Sequence, residues 1–142
     1  MMNTRRLIVT ILIACLAVTA LTSPARAESV QDETVTMDEA LTVANNWITL
    51  MIHNEGSWGG FDAAEVAEIC EFKRGDRVLG YFCRVEPAGF IVVSLRKELA
   101  PVKAYSTRLW ADPESDEEFI EVIKIRMEDI LDAMNRKSVQ SI

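Results

Sequence analysis

The chain is poor in the residues that most chemistry needs: among 142 residues it has one histidine, His53, three cysteines, six glycines and four prolines. A lone imidazole, with no C-x-x-C, H-E-x-x-H or Asp-rich calcium loop, leaves no metal-ligand spacing. No Gly-rich loop is present to cradle a phosphate. A nucleophilic cysteine needs a base within hydrogen-bond reach and an exposed, electropositive setting. Neither Cys70 nor Cys83 sits in a Gly-rich elbow, and both alternate into what reads as a core face. The paired acids Glu117-Glu118 and Glu128-Asp129 fall on a helical pattern and read as solvated face. The residues therefore point away from an enzyme, and no cofactor or metal is expected. Basic charge is scarce as well. Fifteen Lys and Arg stand against 22 Asp and Glu, a formal net charge of −7, which argues against nucleic acid or an anionic membrane surface as partner. A basic protein surface is the partner this charge would complement. No internal repeat or low-complexity stretch is present.

The first 27 residues read as an address. Arg5 and Arg6 precede an apolar run from Leu7 to Leu21, and Ala25-Arg26-Ala27 follows as a small-residue cleavage site. The run is shorter than the about 20 apolar residues of a membrane span, so stable membrane insertion is not expected. Cleavage between Ala27 and Glu28 is the expected outcome, with release to the periplasm or outside the cell. Leu12-Ile13-Ala14-Cys15 also fits a lipobox, which would place a lipid on Cys15. Against that, Leu16 to Leu21 stays apolar where a tether should turn polar. Loss of Arg5, Arg6 and Arg26 with the leader takes the formal charge from −7 to about −10. About 115 residues remain, enough for one domain with one core.

Residues 28–35 lack periodicity and read as a flexible lead-in, with a single domain over 36–142. Thr36 and Glu39 form a T-x-x-E capping box that opens a helix over about Met37 to Ile52. Ala40, Ala44, Trp47, Ile48 and Met51 share one face of it. The next eight residues, His53 to Gly60, hold three glycines and an asparagine and read as a loop. Trp58 in that loop is either an anchor folded back on the domain or a protruding contact. Strands are expected over about Ala67–Arg74 and Arg77–Val85, joined at Gly75-Asp76. One face of the pair gathers Cys70, Phe72, Leu79, Tyr81, Cys83 and Val85, leaving Phe82 and Val78 as apolar exceptions that a loop or partner would cover. Phe90 to Ser94 is uniformly apolar and reads as an inner strand buried on both faces. A last strand runs from Val102 to Ser106 after Pro101. Ser115 and Glu118 suggest a second capping box for a helix over about Asp116–Lys137, with Phe119, Ile123, Met127, Ile130 and Met134 as its apolar stripe. The fold class is α+β: a small antiparallel sheet with an N-terminal and a C-terminal amphipathic helix packed on it.

Cys70 and Cys83 are the thiols left after cleavage. With Arg74 opposite Arg77, an unbroken ladder sets Cys70 opposite Tyr81 and Cys83 one diagonal step away on the same face. That makes a disulfide one reading. Two buried thiols acting as small apolar side chains is the other.

The tract Gly80-Tyr81-Phe82, Gly89-Phe90-Ile91-Val92-Val93-Ser94 and Pro101-Val102-Lys103-Ala104-Tyr105-Ser106 resembles the propeptide domain of streptopain-like (C10) cysteine peptidases and the stand-alone Spi-type inhibitors related to it. The helix with Ala40, Ala44 and Trp47 is similar to that family's first helix. The chain departs from the pattern at Leu95-Arg96, where the family places small or acidic residues in a short turn. No peptidase domain follows within the 142 residues, so a zymogen is not expected. The resemblance implies an inhibitor, or a folding assistant, that occupies the active-site cleft of a C10-like cysteine peptidase. Inhibition of that kind needs a rigid scaffold and one intruding loop. Three loops are available, 54–60, 86–89 and 95–100, and the expected contact loop is the first, with Asn54, Glu55, Ser57 and Trp58. The alternative is a non-catalytic binding or structural module that kept this fold and uses the sheet face around Phe82.

Overall fold

A computed structural model describes residues 33–141 of the chain. The leader, Cys15, the cleavage point between Ala27 and Glu28, and residues 28–32 of the lead-in lie outside the described residues.

Helix α1 spans Met37–Glu55. The capping box forms as the sequence predicts: Glu39 N donates to Thr36 Oγ1 at 3.3 Å, and Thr36 N donates to the Glu39 carboxylate at 2.8 Å. That backbone bond, with Lys97 beside it, holds the Glu39 carboxyl below its ordinary range. The helix runs to Gly56, whose φ of 80° lets its N–H cap Ile52 O at 2.9 Å. The buried residues Ala40 and Ala44 are small, which lets α1 lie close on the sheet, with Ile48 filling behind them.

Four strands follow, β1 Glu65–Arg74, β2 Arg77–Glu86, β3 Phe90–Ser94 and β4 Val102–Ser106. They form one antiparallel meander in the order β1-β2-β3-β4. Every residue of β3 is buried, as its uniformly apolar sequence requires. The β1–β2 register differs from the unbroken ladder. Arg74 faces Arg77, but Lys73 faces Val78 and Phe72 faces Gly80, so Leu79 is an extra residue. A one-residue slip turns every later side chain to the other face. Cys70 therefore faces Phe82, while Cys83 faces Ile69. The two cysteines lie on opposite faces of the sheet and both are free thiols, which corrects the shared-face argument for a disulfide.

The bulge also divides the apolar set into two cores. Tyr81, Cys83, Val85, Ile91 and Val93 pack with α1. Phe72, Leu79, Phe82, Phe90 and Val92 pack on the other face with Ile120, Met127 and Leu131 of α2, which spans Glu118–Gln140. Phe82 is thus a core residue, stacked on Phe90 at 5.3 Å between ring centroids. Gly80 is required here. A Cβ at that position would stand 2.2 Å from Val93 O and 2.8 Å from Met127 Cε.

Helix α2 starts without the second capping box. Ser115 Oγ donates to Asp112 O at 2.8 Å instead, and the N-cap Glu117 makes no side-chain cap bond. The buried line is Ile120, Lys124, Met127 and Leu131, whereas Phe119, Val122, Ile125 and Ile130 are exposed. The packed face is therefore turned from the predicted stripe. Ion pairs clamp α2 to the β1–β2 turn: Arg74 to Glu128 and Glu121, and Arg77 to Asp132 at 2.8 Å. Lys124 is buried with its Nζ 5.6 Å from the Phe72 ring centre and 3.4 Å from Glu121.

Residues 33–35 are not loose. Val35 is buried, its N–H donates to Leu95 O, Lys97 N donates to Glu33 O, and Tyr81 Oη donates to Val35 O, each at 2.8 Å. The lead-in is thus ordered at its last three residues because Leu95 O and Lys97 N, beyond the end of β3, pair with Val35 and Glu33.

Candidate partner-binding end of the sheet

One end of the sheet gathers three connections: residues 56–64 after α1, 87–89 between β2 and β3, and 107–117 between β4 and α2. Trp58 ties the first two together. It is fully buried, and its Nε1 donates to Ala88 O at 2.8 Å. Its backbone exchanges hydrogen bonds with Phe61 at 2.8 and 3.0 Å, and Ser57 Oγ accepts from Gly60 N at 3.2 Å. Trp58 is therefore the anchor of its loop rather than a protruding side chain. Gly59 ties the first connection to the third, since a Cβ there would lie 2.4 Å from Thr107 O. Ser106 Oγ fixes the exit from β4 by accepting from Arg108 N and Leu109 N at 3.2 and 2.9 Å. Asn54 and Glu55 stay exposed in the last turn of α1, and Ser57 is half-buried.

What protrudes at this end is a different set. Phe61, Leu109 and Trp110 are 44, 60 and 59 % exposed, well beyond what a core aromatic shows. Trp110 stands with the Arg84 guanidinium 5.1 Å from its ring centre. Arg84 is in turn paired with Glu68 at 3.4 Å and Glu86 at 3.1 Å. An open groove of about 570 Å³ runs beside Trp110 over Ala63, Ala64, Glu65, Glu86 and Pro87. Another groove, also lined by Trp110, has Glu68, Asp112 and Glu114 in its walls. Apolar tips amid acids, with Arg84 already neutralised, suit an apolar pocket rimmed by Lys or Arg. Neither periodicity nor the strand motifs single out Trp110; its one signal in the sequence is a tryptophan in an aperiodic segment ahead of Asp112-Pro113.

The same surroundings are wrong for nucleophilic chemistry. Burial pushes the Cys70 thiol up, and the neighbouring Glu68 pushes it further. Burial pushes Cys83 up to about 12. Thiolates need the opposite environment. His53 lies on α1, against the face that Cys70 does not share. Among the described residues no group of three or more His, Cys, Asp or Glu side chains is placed to hold a metal ion, and no described helix is long and apolar enough to cross a membrane.

A family model described as Spi protease inhibitor matches residues 32–124. The chain belongs to the Spi protease inhibitor family. The match takes in α1, all four strands and the first turns of α2, so it includes both the ordered residues 33–35 and the exposed Leu109-Trp110 segment. Searches of curated proteins and of solved structures gave no match. In this Spi family member the three connections at the Trp58 end are tied together by the Trp58 indole on Ala88 O and by the close approach of Gly59 to Thr107 O.

Proposed function

We propose that the protein is exported and inhibits a cysteine peptidase of the streptopain-like (C10) type by occluding its active-site cleft. Membership of the Spi protease inhibitor family carries the reading. The strand motifs around Gly80, Phe90 and Tyr105 support the choice of peptidase class, and the leader with its Ala25-Arg26-Ala27 site supports export. The inhibitor acts as a rigid wedge without catalysis of its own. Leu109 and Trp110 are the side chains that enter the peptidase, flanked by Phe61, Asn54 and Glu55 at the same end of the sheet. The acids around Trp110 orient it toward a basic rim. The rival use of the sheet face around Phe82 loses its surface, because α2 covers that face and leaves Phe82 only 2 % exposed.

The test is to titrate a streptopain-like peptidase with the purified protein and follow residual activity. Stoichiometric loss of activity with the inhibitor left uncleaved is expected. Unchanged activity with digestion of the added protein would overturn the assignment to this peptidase class.

A further inference from the structure

Trp110 projects from a stretch of backbone that does not hold itself. Leu109 N donates to Ser106 Oγ, and Asp112 O accepts from Ser115 N and Oγ. Between these fixed points the backbone of Trp110 and Ala111 makes no hydrogen bond among the described residues. No other aromatic ring lies against the Trp110 indole there, whereas Trp47 and Trp58 both pack against Tyr105. A ring more than half exposed on such a segment keeps its rotamer freedom unless a side chain fixes it, and freezing that freedom on binding costs affinity.

Arg84 is placed to fix it. Its backbone sits within the sheet, opposite Glu68 of β1 and Phe90 of β3, so its base cannot drift. Its guanidinium is held in turn, with Nε 3.4 Å from the Glu68 carboxylate and Nη1 3.1 Å from that of Glu86. Two carboxylates on a planar, delocalised cation set the orientation of its plane. The indole lies 5.1 Å from that cation, within the range in which a cation attracts a ring face. We propose that Arg84 is a positioning residue: braced by Glu68 and Glu86, it holds the Trp110 indole in the orientation that enters the peptidase. The ring's freedom is then already given up in the free inhibitor. The proposal rests on the reading of Trp110 as a contact side chain. Charge alone would act with the opposite sign. Arg84 stands among the acids Glu68, Glu86, Asp112 and Glu114, so loss of its charge leaves this end more acidic and would tighten binding to a basic rim. Loss of the brace weakens it.

The test pairs a measurement on the free protein with the peptidase titration. In nitrogen-15-labelled protein the indole N–H of Trp110 is identified by its loss in Trp110→Ala. Its heteronuclear NOE should drop in Arg84→Gln toward the values of flexible groups, while the Trp47 and Trp58 indole resonances stay in place and show that the fold is intact. The inhibition constant of Arg84→Gln should rise about two- to ten-fold, the cost of immobilising one freed side chain. In a Trp110→Ala background the same substitution should weaken inhibition no further. An unmoved indole in Arg84→Gln overturns the proposal whatever inhibition does. So does inhibition that is unchanged or tighter, and equal weakening in both backgrounds makes Arg84 a direct contact instead. Trp110→Ala that inhibits like the wild type overturns the underlying reading of Trp110, and the proposal with it, whereas a loss in Trp110→Ala with an unmoved indole in Arg84→Gln overturns the proposal alone.

Discussion

Replacing Trp58 separates two roles that a tryptophan in a glycine-rich loop can have. The side chain is fully buried and its indole N–H is bonded to Ala88 O. Truncating an aromatic of this size in a core costs about 3–5 kcal/mol, and the lost hydrogen bond adds about 1 kcal/mol. For a domain whose total stability is of the order of 5–15 kcal/mol, Trp58→Ala should shift the urea midpoint strongly with little change in slope. Trp58→Phe keeps most of the apolar area and loses the hydrogen bond, so about 1–2 kcal/mol is expected. Well below its midpoint the Phe variant should still inhibit within about three-fold of the wild type, since a core anchor does not touch the partner. Far-UV circular dichroism in urea, run beside the peptidase titration, reads both quantities. The reasoning is refuted if Trp58→Ala loses less than about 1 kcal/mol while inhibition collapses. That pattern would make Trp58 a contact residue.

At Leu109 and Trp110 the pattern should reverse. Trp110→Ala removes an exposed ring and its contact with Arg84, worth about 0.5–1 kcal/mol, yet it should weaken inhibition by about ten- to thirty-fold if Trp110 is an anchor of the interface. Leu109→Ala should act in the same direction, and unchanged inhibition constants for both would remove this segment from the contact. Gly80→Ala should cost about 3 kcal/mol or more in chemical denaturation, because its Cβ would meet Val93 O, which is backbone and cannot yield. A cost under 1 kcal/mol would contradict the close approach. Cys83 keeps its proton more tightly folded than unfolded. Stability should therefore be at its full value below about pH 9.0 and fall as pH rises toward about 12, with a slope of about 1.4 kcal/mol per pH unit. Cys83→Ser should flatten that alkaline decline, and a decline of equal slope in the variant would assign it to other groups.

Much of the fold could be read from the chain because each signal there has one local cause. Thr36 and Glu39 meet each other across three residues, and Phe90 to Ser94 has no polar side chain before Ser94 to show to solvent. The β1–β2 register was hidden because β2 is buried on both faces. From Val78 to Cys83 only Gly80 interrupts the apolar side chains, and it carries no polar mark, so alternation cannot tell which face a residue takes or reveal that Leu79 is inserted. A shared face for the two cysteines followed from the missing bulge. Helix α2 was ambiguous for a related reason. Its apolar residues spread around much of the circumference and Lys124 lies within the packed line, so phase could be set only by the partner surface, Gly80 and Phe72 above all. The functional end was half legible. The loop with Trp58 does belong to it, but Trp58 supplies the foundation, and the exposed tips come from residues 109–110, whose position depends on where Ser106 and Thr107 are held.

Residues 33–35 zip onto residues 95–97 beyond the end of β3, at the opposite end of the sheet from Trp58 and Trp110. The ten residues of β2 alone put roughly 30 Å between the two ends. Glu33, where the described residues begin, is therefore at the rear. A chain held by that side on a bead, a phage or a sensor surface would keep its aromatic tips pointing outward.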